Sequence, residues 1–145
     1  MTKHVGMTGT RNGMTDKQKA TFKRLLLQLE ADWLHHGDCV GADADSHGIA
    51  ECIGVRTHIH PPVKDDLRAY CTGDKSEPEK GYFQRNRDIV NSSDVLIGTP
   101  ATVKETKGGT WYTINYSKGK DKPTYVIYPD GSFDTHFVVI GCEWR

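Results

Sequence analysis

Apolar residues recur along this chain with two periods, and the switches between them outline alternating strands and helices. Residues 3–8 form a short β-type run that ends in the turn Gly9-Thr10-Arg11-Asn12-Gly13. A helix follows. Thr15 is placed as its N-cap, and Gln18, three residues on, completes a capping box. Phe22, Leu25, Leu26 and Leu29 then fall on one buried stripe, so the helix runs to about residue 30 or 31. Residues 33–36 read as a second strand. The turn 38–43 leads into a second helix whose inner face carries Ile49, Ala50 and Ile53, with Gly54 just past its end. Residues 55–60 alternate Val, Thr and Ile with Arg56, His58 and His60, a third strand stopped by Pro61-Pro62.

The pattern is weakest over residues 61–80, where a short helical turn at 63–70 and then a surface loop are expected. A third long helix is predicted over about 79–92, and residues 95–98 are short and wholly apolar, like a strand covered on both faces. After a loop at 99–107, Gly108-Gly109-Thr110 opens a helix ending near Gly119; residues 124–128 make a fifth buried strand. A last β segment spans 133–144 as an edge strand or an oligomer contact. The order predicts a single Rossmann-like α/β domain over residues 1–145: a mostly parallel sheet of about five strands, helices on both faces, and a C-terminal β segment.

Composition changes the picture mainly by exclusion. Acidic and basic residues balance at 19 each, so a general nucleic-acid coat is not expected. No run approaches the roughly 20 apolar residues of a membrane span, and the N-terminus lacks a signal-peptide core, so a cytoplasmic protein without membrane partners is expected. The cysteines Cys39, Cys52, Cys71 and Cys142 include no CxxC pair and read as free thiols. His35, His36 and Cys39 cluster, Asp43 and His47 stand four apart, and His58 and His60 share a strand face. They compose no recognised ligand set, so neither a metal nor a cofactor is expected.

Candidate chemistry gathers at three glycine-bearing strand-to-helix turns: Gly9-Thr10-Arg11, Gly37-Asp38 with Gly41-Ala42-Asp43, and Gly108-Gly109-Thr110. In a parallel sheet such turns share the carboxyl ends of the strands, where ligands bind. Glycine lets backbone N–H groups approach an anion, the following helix adds its positive end, and hydroxyl and guanidinium groups complete a phosphate cradle. On the helix around residues 82–90, Asn86 and Arg87 fall three and four residues after Phe83, which with Val90 is expected to face the core. The pair would then aim at ligand phosphate or ribose. Neither GxGxxG nor GxxxxGK[ST] occurs, and no nucleophile elbow is present. Asp38, Asp43 and Asp94 stand near the turns as single acids, for capping or for acid–base work.

Four blocks, Met7–Thr15 (MTGTRNGMT), His36–Asp43 (HGDCVGAD), Arg85–Val90 (RNRDIV) with Ser93-Asp94, and Gly108–Trp111 (GGTW), together resemble the SLOG superfamily. It groups DprA/Smf-type DNA-processing proteins with LOG "lysine decarboxylase-like" proteins, and the likeness points to its small bacterial and phage branch near YpsA. The resemblance spans residues 3–128. It implies a Rossmann-like fold, a pocket over the first, second and fourth strand ends, a nucleotide-derived ligand such as an ADP-ribose-type or cyclic-nucleotide signal in phage or bacterial defence, and a homo-oligomer. LOG members cut the N-glycosidic bond of nucleoside monophosphates with an Arg before the fourth strand and a Glu after a PGGxGTxxE turn. Arg87, seven residues before Asp94, matches that Arg, but Thr113 stands where the Glu would. A threonine supplies no carboxylate for an oxocarbenium-like centre. The expectation is therefore a sensor or sequestering protein first and a phosphoribohydrolase second. DprA-like single-strand DNA binding comes third, disfavoured by the neutral chain.

Overall fold

The computed structural model describes residues 2–64 and 66–137. Seven strands form one sheet in the order β4-β3-β2-β1-β5-β6-β7. They are β1 His4–Gly9, β2 Trp33–His36, β3 Arg56–Ile59, β4 Lys75–Ser76, β5 Val95–Thr99, β6 Thr124–Ile127 and β7 Phe133–His136. All pairings are parallel except β6 with β7. Four helices accompany them: α1 Asp16–Gln28, α2 Ala42–Cys52, α3 Tyr82–Asn91 and α4 Gly109–Gly119.

The helices cover both faces, and β5 shows how. Its side chains alternate: Ile97 joins Val5, Met7, Phe22, Leu25 and Ala50 in a core beneath α1 and α2, while Leu96 packs with Ile89 and Val90 of α3 on the other side. All five β5 residues are buried, as a strand sandwiched between helix layers requires. The α1 capping box is present, with Thr15 Oγ1 accepting from Gln18 N at 3.0 Å and Gln18 Oε1 accepting from Thr15 N at 2.9 Å. Gly54, just past α2, has φ +76°, the left-handed cap that glycine supplies at least cost.

The weakly patterned stretch departs from expectation. Among the described residues of 63–70 no helix forms; instead Val40 N donates to Leu67 O at 2.8 Å and Ala69 N to Asp38 O at 2.7 Å, pinning the loop against the turn after β2. Tertiary partners for the backbone outcompete the short local helix. The two-residue β4 then adds beside β3. Helix α3 begins at Tyr82 rather than near 79, because Lys80 is committed to pairing with the Pro61–Val63 backbone. Strand β7 confirms the start of the C-terminal β segment; its predicted remainder at 138–144 lies outside the described residues.

Candidate functional site

Strand β1 lies between β2 and β5, so successive crossovers leave it in opposite directions. At such a switch point the carboxyl ends of the strands part and leave a crevice. Here it is a cleft of about 1040 Å³. The end of β1 supplies Gly9, Thr10, Arg11 and Asn12, α3 supplies Tyr82, Arg85 and Asn86, and the loop after β5 runs through Glu105 and Lys107 to Gly108, Gly109 and Thr110. Asp43 and Cys39 form the wall toward β2.

The first and third glycine turns thus meet across one opening. Gly9 faces Thr99 in register, and Thr10 N donates to Thr99 O at 3.1 Å. A Cβ on Gly9 would overlap Thr99 and Ala42, so this turn tolerates only glycine. The Arg11 side chain is exposed at the mouth. Helix α4 is preceded by Gly108 at φ 145° as its N-cap and has no side-chain cap, leaving its first N–H groups to a ligand or solvent.

The second turn is placed differently. Gly41 and Ala42 lie behind the first turn: Ala42 N donates to Thr10 O at 2.9 Å, and Gly41, at φ +90°, packs against the Arg11 backbone. Neither lines the cleft. Gly37 and Asp38 are also buried away from it. The Asp38 carboxylate accepts from Arg68 Nε at 2.9 Å and Cys71 N at 2.8 Å, anchoring the 61–80 loop. Asp94 accepts from His4 N at 2.8 Å.

Helix α3 turns another side inward than expected. Its buried residues are Arg85, Asn86, Ile89 and Val90, whereas Phe83 is 58% exposed and packs edge-on against Tyr112 with centroids 4.7 Å apart. The stripe is set by Ile89 with Val90, and Phe83 lies off it. Arg87 therefore points away from the cleft lining and donates to Tyr112 Oη at 3.0 Å and Gln84 Oε1 at 3.2 Å.

Arg85 takes the inward place. Only 4% exposed, it donates to Asn86 Oδ1 at 2.7 Å, to the carbonyls of Gly37 and His60, and to Cys39 Sγ at 3.6 Å. A Cβ on Gly37 would overlap its guanidinium, so that glycine makes room for the arginine. Asp43, beside it, is buried; burial pushes its carboxyl up to about 6, against the opposing pull of Arg85. Cys39 N donates to Asp43 Oδ2 at 3.1 Å. Arg85, Glu105 and Tyr82 were missed from sequence. Only Arg85 had a signal, as the residue one turn before Ile89.

Thr113 is fully buried, and its Oγ1 donates to Gly109 O at 2.7 Å. It offers the cleft no acid. Among the described residues, no helix is long and apolar enough to cross a membrane.

No family model and no curated protein sequence matches the chain. Solved structures do. A molybdenum cofactor binding protein from Rippkaea orientalis is similar at TM-score 0.69 and 19% identity, over 88% of this chain and 77% of its own. The Moco carrier protein of Chlamydomonas reinhardtii follows at 0.64 and 20%, over 87% of this chain and 76% of its own. DNA processing protein A from Streptococcus pneumoniae matches at 0.64 and 17%, over 86% of this chain and 50% of its own. These likenesses show the fold: the chain has the Rossmann-like fold that its motifs implied.

Proposed function

We propose that the chain binds a phosphate-bearing, nucleotide-derived small molecule in this cleft, as a sensor or a sequestering protein. One observation carries the reading: the uncapped start of α4, the exposed Arg11 and the buried Arg85 converge on a single opening at the sheet's switch point. Backbone N–H groups and a helix start suit phosphate oxygens, and the cleft has room for a nucleotide-sized ligand. Tyr82 and Phe83 at the rim offer ring faces to a base. Neighbours whose names record cofactor binding support small-molecule binding by this fold, without selecting a ligand.

Native mass spectrometry of the purified chain, before and after denaturing release, tests this. A phosphorylated small molecule bound in stoichiometric amount, or saturable binding of ADP-ribose or a nucleoside monophosphate by calorimetry, is the expected result. Absence of both sinks the reading.

Asp43 favours a second reading, hydrolysis of a nucleotide N-glycoside. A buried carboxyl lifted to about 6 at the cleft wall is suited to proton transfer near neutral pH. The buried Thr113 in the glutamate position argues against it. Release of free base from AMP or CMP, abolished by Asp43→Asn, would establish hydrolysis in place of binding.

A further inference from the structure

Away from the cleft, imidazoles gather on one face of the sheet. His35 of β2 and His58 of β3 are register partners, so their side chains leave the same face. His60 follows two residues after His58, and the rings stack with centroids 4.6 Å apart for His35–His58 and 4.8 Å for His58–His60. One nitrogen from each of the three lies within 4.8 Å of the others.

The hydrogen bonds around this group are directional. His35 has Nε2 on His4 Nδ1 at 2.8 Å and Nδ1 facing His60 Nε2 at 2.9 Å. His58 Nε2 meets Glu77 Oε2 at 2.7 Å. A neutral imidazole carries one proton. With the His35 proton given to His4 and the His58 proton given to Glu77, the lone pairs remain on Nδ1 of each ring.

We propose that His35, His58 and His60 form a binding site for a divalent transition ion of the Zn²⁺ class, through Nδ1 of His35, Nδ1 of His58 and Nε2 of His60. The ion takes the place of the proton shared by His35 and His60, and a fourth position stays open to water. Three imidazoles with no oxygen ligand among them select Zn²⁺, Co²⁺, Ni²⁺ or Cu²⁺ over Mg²⁺ and Ca²⁺.

Further features fit a metal rather than mere packing. His35 and His60 are buried at 2% and 3% exposure, so their rings are held in place beside one another. Glu77 and His4 occupy the outer positions that fix tautomer and ring orientation in metal sites. The His58 side chain is 15% exposed and gives the ion a way in. Tetrahedral Zn–N bonds of about 2.0–2.1 Å place ligand nitrogens roughly 3.3 Å apart, so the group closes by small ring rotations.

The other cluster, His36, His47 and Cys71, lacks these properties. Its His36 accepts from Asp38 N through Nδ1 at 3.0 Å and turns a protonated Nε2 to His47 Nδ1 at 2.9 Å. Burial and Asp38 push the Cys71 thiol up to about 12, which disfavours the thiolate a metal needs. The His35 cluster also abuts the cleft, since the His60 carbonyl accepts from Arg85 Nη1 at 3.2 Å.

The test is a Co²⁺ titration of chelator-treated, tag-free protein, read by visible d–d absorption and followed by Zn²⁺ competition. One saturating ion per chain with tetrahedral bands is expected, weakened at least tenfold by His58→Ala and His60→Ala. Glu77→Gln weakens it by about 10- to 100-fold, and His47→Gln leaves it unchanged. His58 is partly exposed, so His58→Ala reads ligand loss even if His60→Ala melts early. The proposal is overturned by no saturable absorption, by a sulfur-to-cobalt charge-transfer band placing the ion at Cys71, or by His58→Ala binding as tightly as the parent.

Discussion

Replacing Arg85 by Met keeps most of the aliphatic stem and removes only the guanidinium. The carbonyls of Gly37 and His60 and the Asn86 amide oxygen then lose a charged donor inside the fold. Asp43 loses the nearby cation that offsets its burial. Removing a buried cation that serves three acceptors and offsets a buried carboxyl costs about 3–5 kcal/mol. For a chain of this size each kcal/mol moves Tm by roughly 2–4 °C, so Arg85→Met should melt about 6–20 °C below the parent. Thermal unfolding followed by circular dichroism reads this directly. A double-mutant cycle with Gly37→Ala adds a second check. The methyl group introduced by Gly37→Ala would overlap the guanidinium, so its cost should largely vanish in the Arg85→Met background. An Arg85→Met variant melting within about 2 °C of the parent, or a Gly37→Ala cost independent of the side chain at position 85, would refute Arg85 as the buried support of the cleft.

Three further outcomes follow from the same geometry. Arg11 is exposed, so Arg11→Ala should change stability by no more than about 0.5 kcal/mol yet weaken phosphate-ligand affinity about tenfold to a hundredfold; calorimetry beside a melt separates the two. His35, His36 and His60 stay neutral in the fold down to about 2, 3 and 4 but take up protons near 6.5 when unfolded. Asp43 acts oppositely, holding its proton up to about 6 in the fold. At pH 5 the unfolded chain thus binds about two more protons net, and stability should fall by roughly 2–3 kcal/mol per pH unit on acidification from 6 to 5; urea midpoints that stay level across that range would contradict it. AMP or CMP incubated with the protein should release no free base above background, as chromatography of the reaction would reveal.

The regular elements were legible because local and tertiary preferences agreed. Thr15 with Gln18 announced α1, and the wholly apolar 95–98 run announced a strand covered on both faces. The 61–80 stretch was not legible, since its order comes from Asp38 and the backbone of residue 40, partners more than twenty positions away. The glycine turns could be assigned to one rim from sequence, because in a parallel sheet every strand end lies there; that the second turn packs behind the first could not. The helix α3 face was misread by the weight given to Phe83. An aromatic looks like a core anchor, but here it stands at the rim against Tyr112 while two polar residues go inside. Sequence periodicity counts apolar positions, so it passes over an arginine whose burial depends on a glycine 48 residues earlier. The histidine group hid for a related reason: His58 and His60 were visible as strand neighbours, but His35 joins them only through sheet register and Glu77 only across the loop.

Net charge was uninformative for the same spatial reason, and this bears on the nucleic-acid alternative. The chain balances 19 acidic against 19 basic residues, yet the cleft gathers Arg11, Arg85 and Lys107 with the start of α4, opposed by Asp43 and Glu105. On the proposed reading this lining suits one or two phosphates and not a track along a backbone. Counterion release makes the difference measurable. Single-stranded nucleic acid binding loses affinity with a log–log salt slope of about −0.7 per phosphate neutralised. With three cations at most, oligonucleotide binding should be weak and its slope no steeper than about −2. A mononucleotide ligand should show a similarly shallow dependence while binding more tightly. Fluorescence anisotropy of a labelled single strand between low and moderate salt gives the slope. A value steeper than about −4, with affinity exceeding that for any mononucleotide, would mean basic side chains beyond the cleft engage a strand. The chain would then act as the DNA processing protein neighbours do by name, and the small-molecule reading would fall.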